Sequence, residues 1–209
     1  MEETYTPAAV QGSVPGQFQQ LLHWTLSAHR SLVTTFQILT IPIGLLAAVA
    51  FFALALKIGR LGIRFGGGVG GTFRFDVLAF GAWLAVPAAT IVLHELVHGV
   101  GMGLFGARPQ YGARLRNLLF YATAPGYAFR RNAYVAVILA PLLVLSALAI
   151  LGMYLLQGTS WVALLAVCAI LNAGGSAGDM CMAYLILRHP RSAYIVDERD
   201  GFRVLLPKE

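Results

Sequence analysis

Four long apolar stretches dominate the pattern of this chain, each the length of a membrane-spanning helix. About 20 mostly apolar residues cross a bilayer as a helix. Leu32 to Leu56 supplies 25 without a charge, broken only by Pro42, which membrane helices tolerate. Val77 to Phe105 is apolar apart from His94, Glu95 and His98. Ala133 to Leu156 gives 24 uncharged residues around Pro141, and Trp161 to Leu187 carries a single charge, Asp179. The expected fold is an all-α polytopic membrane protein of about four transmembrane helices, with short β-hairpin-like connections and a small C-terminal hairpin. It reads as a single domain: an N-terminal cytoplasmic segment 1–30, a membrane core 32–187 and a tail 188–209.

The connections carry strand-like alternation. Leu61, Ile63 and Phe65 alternate with Gly62 and Arg64, a glycine-rich run follows over 66–71, and Phe73 and Phe75 flank Arg74. This predicts two strands around a glycine-rich turn; a phosphate-cradling loop would need a Lys-Ser/Thr pair that is missing. Between the second and third spans, Gln110-Tyr111-Gly112, Leu118-Leu119-Phe120-Tyr121 and Ala124-Pro125-Gly126-Tyr127 predict extended chain, a hairpin that dips into the membrane. After the fourth span, Ala193 to Val196 and Phe202 to Leu206 flank Asp197-Glu198-Arg199-Asp200-Gly201, a hairpin with a polar turn.

Composition agrees with the spans. Of the 209 residues, 58% are apolar and 11% charged, against roughly 25% charged in soluble domains; the mean hydropathy is +0.72. Disorder requires the opposite balance, and two cysteines cannot make a disulfide scaffold. Cys168 and Cys181 would lie about 20 Å apart on one helix, too far to pair. The net charge of +6 comes from 13 Arg and two Lys placed between the spans. Eleven fall on the side shared by the N-terminus, the second connection and the tail; Lys57, Arg60, Arg64 and Arg74 fall on the other. Positive charge collects on the cytoplasmic face, so both termini are expected there, at the cell membrane. No basic helix or aromatic-interleaved basic strand suggests nucleic acid. The opening Met1-Glu2-Glu3 lacks the basic start of a signal peptide, so none is expected.

Ionisable side chains inside a bilayer are costly and mark function. Of nine acids, only Glu95 and Asp179 lie within apolar spans; of five histidines, only His94 and His98 do. His94-Glu95-Leu96-Val97-His98 places two imidazoles at i and i+4 on one helical face, where both can bind one ion. Zinc takes imidazole nitrogen readily, and a catalytic site keeps three protein ligands plus water. Glu95 beside them can accept a proton from that water. Asp179 is the remaining candidate for the third ligand. Both it and the histidine pair lie about 12 Å below the same membrane surface, counted at 1.5 Å per residue. Asn172, seven residues earlier, shares its face and is a candidate to bind substrate or an oxyanion. Each polar residue can also serve as hydrogen-bonding glue between helices. The small-residue run Gly174-Gly175-Ser176-Ala177-Gly178 lets another helix approach, expected to be the second span, or marks a local unwinding.

Three motifs carry a resemblance: His94-Glu-Leu-Val-His98-Gly99, Tyr121-Ala-Thr-Ala-Pro-Gly126-Tyr127 and Asn172-Ala-Gly-Gly-Ser-Ala-Gly-Asp179-Met-Cys-Met-Ala-Tyr184. Together, from about Phe75 to Pro207, the chain resembles a prokaryotic membrane family described as "putative zincin peptidases", itself similar to the site-2 proteases. The resemblance implies His94, His98 and Asp179 as zinc ligands and Glu95 as general base. One departure stands out. Site-2 proteases set their aspartate in Asn-Pro-x-x-Asp-Gly, whereas here six small residues without proline separate Asn172 from Asp179, and Met180 follows. The expected activity is an intramembrane zinc metallopeptidase that meets the lipid bilayer and a membrane-protein or peptide substrate. A metal-handling protein without hydrolysis, or a hydrolase of lipids or small amides, are the other readings.

Overall fold

A computed structural model describes residues 10, 18–25, 28–60, 77–114, 119–198 and 201–208. Its elements in chain order are β1 (Phe18–Thr25), α1 (Arg30–Lys57), α2 (Val77–Leu104), β2 (Gln110–Arg114), β3 (Leu119–Thr123), β4 (Ala128–Arg130), α3 (Arg131–Leu155), α4 (Trp161–Gly175), α5 (Ala177–Leu187), β5 (Tyr194–Glu198) and β6 (Gly201–Pro207). Four helical stretches among these residues are long and apolar enough to cross a membrane: Thr34–Lys57, Gly81–Leu104, Arg131–Leu155 and Trp161–Leu187. They leave large apolar side chains uncovered, with Leu46 72% and Leu104 81% exposed. A bilayer, not water, is the solvent that such faces match.

The fold is helix-rich but not all-α, for 20% of the described residues are strand. The excess over expectation is a four-stranded antiparallel sheet in the order β1-β6-β5-β4. The C-terminal hairpin is present as β5–β6, and it forms the centre of this sheet rather than an isolated pair. β1 falls in the N-terminal segment for which no strand was expected. It pairs with β6 from Phe18↔Pro207 to Thr25↔Gly201. Gly201 permits the close approach: its φ is +135°, and a Cβ there would lie 2.1 Å from the Trp24 carbonyl. Asp197 and Glu198, expected in the polar turn, belong instead to β5 and are buried. The strand pattern foreseen over 61–75 lies outside the described residues.

Two apolar clusters hold these parts together. Ala55, Ala149, Met153, Val162, Ala166 and Ala169 join α1, α3 and α4 through small side chains, which let helices approach closely where lipid offers no hydrophobic drive. Trp24, Met102, Phe129, Val137, Ile186, Ile195 and Phe202 seal the sheet against the ends of α2, α3 and α5. Arg131 reinforces that junction. Its guanidinium donates to the carbonyls of Leu187 (3.4 Å), the last residue of α5, and of His189 (2.6 Å) just beyond it.

The fourth span is interrupted at a single residue, Ser176, between the end of α4 at Gly175 and the start of α5 at Ala177. Helical bonds still cross it, from the Ser176 N–H to the Asn172 carbonyl and from the Met180 N–H to the Ser176 carbonyl. A Cβ on Gly174 would come 3.9 Å from Gly44 Cα, so α1, not α2, packs at this glycine.

Candidate metal centre

Asp179 lies in the first turn of α5. Opposite it, α2 presents His94 and His98 one turn apart, their rings edge to face with centroids 4.9 Å apart. His94 Nε2 lies 3.1 Å from Asp179 Oδ2, and His98 Nε2 lies 3.6 Å from Oδ1. One ligand atom from each of the three residues falls within 4.8 Å of the others. Two ligands each about 2.05 Å from a tetrahedral zinc ion sit about 3.3 Å apart. The two histidine–carboxylate separations, to the two different oxygens, bracket that value, and the spread of up to 4.8 Å across the three donors would contract on an ion, so the cluster could hold zinc.

The remaining imidazole nitrogens face the other way, each toward an acceptor. His94 Nδ1 is 3.0 Å from Asn172 Oδ1, and His98 Nδ1 is 3.1 Å from the Val137 carbonyl. Donation through Nδ1 leaves the Nε2 lone pair for a ligand bond and fixes the ring's rotation. The Val137 carbonyl is free for this task because of Pro141. In an α-helix the N–H of residue 141 would bond the carbonyl of residue 137, and proline has none.

Asn172 is 3% exposed, and both ends of its amide are engaged. Besides facing His94, its Nδ2 donates to the Pro141 carbonyl at 3.1 Å and to Ser146 Oγ at 3.4 Å. Its amide thus joins α2, α3 and α4, the interhelical bonding that was the other reading of this residue.

Glu95 is half-buried beside the histidines. Its Oε2 accepts the Ala122 N–H at 2.8 Å. Since β2 occupies one edge of β3, this N–H belongs to the other edge, the one turned toward α2. The β2–β3 hairpin itself matches the extended connection expected from the sequence. It can lie against α2 because Gly99, next to His98, has no side chain: a Cβ there would fall 2.0 Å from the Tyr111 hydroxyl.

A cavity of about 210 Å³ opens at the cluster, bordered by Glu95, His98, Asp179, Ala122, Tyr134 and Asp197. Asp197 was not singled out in the sequence, yet it ties three elements together. It accepts the Thr123 hydroxyl at 2.5 Å, the Ala124 N–H at 2.6 Å and the Tyr134 hydroxyl. Burial pushes its carboxyl above the usual range, against the opposing pull of those hydrogen bonds. Next to it, Glu198 pairs with Arg203 at 2.6 Å.

No curated protein and no solved structure matches the chain. A family model described as "Putative zincin peptidase" matches residues 88–194, over half of the chain and inclusive of His94, Glu95, His98 and Asp179. The chain therefore belongs to this zincin peptidase family.

Proposed function

We propose that this protein is an intramembrane zinc metallopeptidase, similar to the site-2 proteases, that hydrolyses peptide bonds of a membrane-associated or transmembrane substrate. The observation that carries the reading is the convergence of His94 Nε2 and His98 Nε2 on the Asp179 carboxylate, with Glu95 alongside. His94, His98 and Asp179 would hold the ion. Zinc bound there would supply Lewis acidity and make a water molecule ionisable near neutral pH. Glu95 is the general base: it takes the proton from the attacking water as the O–C bond forms, and passes it to the amine nitrogen as the C–N bond breaks. Val137 and Asn172 hold the two imidazoles in the tautomer that this arrangement needs.

A transmembrane helix hides its peptide bonds, so the substrate must present extended chain. The outer edge of β3 is suited to receive it by strand addition. Glu95 rests on the Ala122 N–H of that edge, and a paired substrate strand would take over this donor and free the base. Both termini lie on the cytoplasmic side in this account.

The test is cleavage of a reporter transmembrane peptide by purified protein reconstituted in vesicles, wild type beside Glu95→Gln. Loss of the base should slow cleavage by about 10²- to 10⁴-fold while zinc is retained. A Glu95→Gln protein that cleaves at the wild-type rate would overturn the base assignment. A zinc-loaded wild type that cuts no membrane peptide would favour metal handling.

A further inference from the structure

A second cavity, of about 140 Å³, shares Glu95 with the first and extends deeper along α2 and α4. His94 and Glu95 border it on the side of the metal centre, and its other walls include Ile91, Phe120, Leu171 and Gly175. Its polar neighbours are committed elsewhere. The Thr90 hydroxyl donates to the Val86 carbonyl at 3.0 Å, and the Asn172 amide is used as described above. Away from the His94 and Glu95 side, a guest in this chamber therefore meets mainly hydrocarbon, from Ile91, Phe120 and Leu171. Ile91 and Leu171, 49% and 46% exposed, flank it on two different helices, so it can be reached from lipid between α2 and α4.

Gly175 gives the chamber its width. It borders the chamber and is exposed, and a Cβ built there meets nothing within 4 Å among the described residues, so a larger side chain at this position has room to turn into it. Phe120 borders this chamber and Ala122 the first one. The two share a face of β3, about 7 Å apart along the strand. A segment paired with β3 would thus pass from one cavity to the other across Glu95.

We propose that the chamber is the subsite for an aliphatic or aromatic side chain next to the scissile bond, and that Gly175 sets the largest side chain admitted. This rests on the metallopeptidase reading and adds its substrate class. A cavity of about 150 Å³ holds benzene when apolar, so an isobutyl or benzyl group matches this volume and an indole exceeds it.

The experiment measures binding of zinc-chelating hydroxamates to the full-length, zinc-loaded protein in detergent by titration calorimetry. The probes are acetohydroxamate and analogues bearing isobutyl, benzyl or indolylmethyl groups. In wild type, the isobutyl and benzyl compounds should bind about 10- to 100-fold tighter than acetohydroxamate, the gain that burying such side chains gives. The indolylmethyl compound should show no such gain. In Gly175→Leu the isobutyl-to-acetohydroxamate ratio should fall to about one, and in Gly175→Ala only the benzyl gain should shrink. Leucine is a better helix residue than glycine, and zinc content checks that each variant has folded. If acetohydroxamate binds but the isobutyl gain is absent from wild type or survives in Gly175→Leu, the subsite assignment is wrong and the metal centre stands. If acetohydroxamate fails to bind zinc-loaded wild type, the metallopeptidase reading falls, and this subsite with it.

Discussion

Replacing Pro141 by alanine should stabilise α3 and weaken the metal centre at the same time. Residue 141 lies four positions after Val137, whose carbonyl accepts His98 Nδ1 at 3.1 Å. An alanine N–H at 141 would donate to that same carbonyl, closing the helical bond that proline leaves open. A carbonyl has two lone pairs, so the imidazole would share its acceptor rather than lose it. A net hydrogen bond is worth about 0.5–1.5 kcal/mol, which bounds the weakening of zinc affinity at about 2- to 12-fold. In the other direction, an interior proline costs a helix up to about 3 kcal/mol, so the apo protein should melt at a higher temperature. The Pro141 carbonyl that accepts Asn172 Nδ2 is kept by the substitution. The assay pairs zinc affinity, by competition with a chromophoric chelator in detergent, with thermal unfolding of the apo protein followed by circular dichroism. Opposite signs in the two measurements are the signature. A Pro141→Ala protein with unchanged zinc affinity would refute the argument that the proline exists to free this carbonyl.

Further substitutions probe other parts of the account. Asn172→Ala removes the acceptor of His94 Nδ1 and should weaken zinc binding about 10- to 100-fold; Asn172→Asp keeps an acceptor and should recover part of that loss, whereas equal affinities in all three proteins would contradict the orienting role. Arg203→Leu removes the ion-pair partner of the buried Glu198 carboxylate, and breaking such a pair costs about 3–5 kcal/mol; thermal melts should show Glu198→Leu/Arg203→Leu regaining most of it, and a double variant as unstable as the single would count against the pair. Because the folded pKa of Asp197 is raised above 3.8 by burial, the native state holds that proton longer than the unfolded chain. Its contribution to stability is full below 3.8 and is lost as pH rises through the raised value. The stability of wild type relative to Asp197→Asn should therefore fall as pH climbs across that window, and a difference that grows instead would show the sign to be wrong.

The His94–His98–Asp179 cluster was legible where its geometry is local or dictated by the membrane. Two histidines at i and i+4 share a face by helix geometry alone. Asp179 followed from the cost of charge in a bilayer and from the common depth of two spans. What escaped the sequence depends on contacts made at a distance. Phe18 to Thr25 contains Gln19, Gln20 and His23 among its apolar residues, and nothing local tells that it will pair with the last strand. Asp197 and Glu198 look like turn residues beside Gly201, because burial of an acid is decided by Thr123, Tyr134 and Arg203 on other elements. Asn172 was picked out, but an amide can serve substrate, a histidine or a neighbouring helix, and its bonds to His94, Pro141 and Ser146 depend on elements far away in the chain. Pro141 carried a signal that could have been used. A proline within a spanning helix frees the carbonyl four residues earlier, and a freed carbonyl in a membrane calls for a donor.

The central claim is that α2 and α5 together hold one zinc ion. Its most direct measurement is the zinc content of the purified protein, wild type beside Asp179→Ala and Glu95→Gln, after equilibration at limiting free zinc. The account predicts about one ion per chain in wild type and in Glu95→Gln, and little in Asp179→Ala. Full zinc retention by Asp179→Ala, or none in wild type, would contradict it.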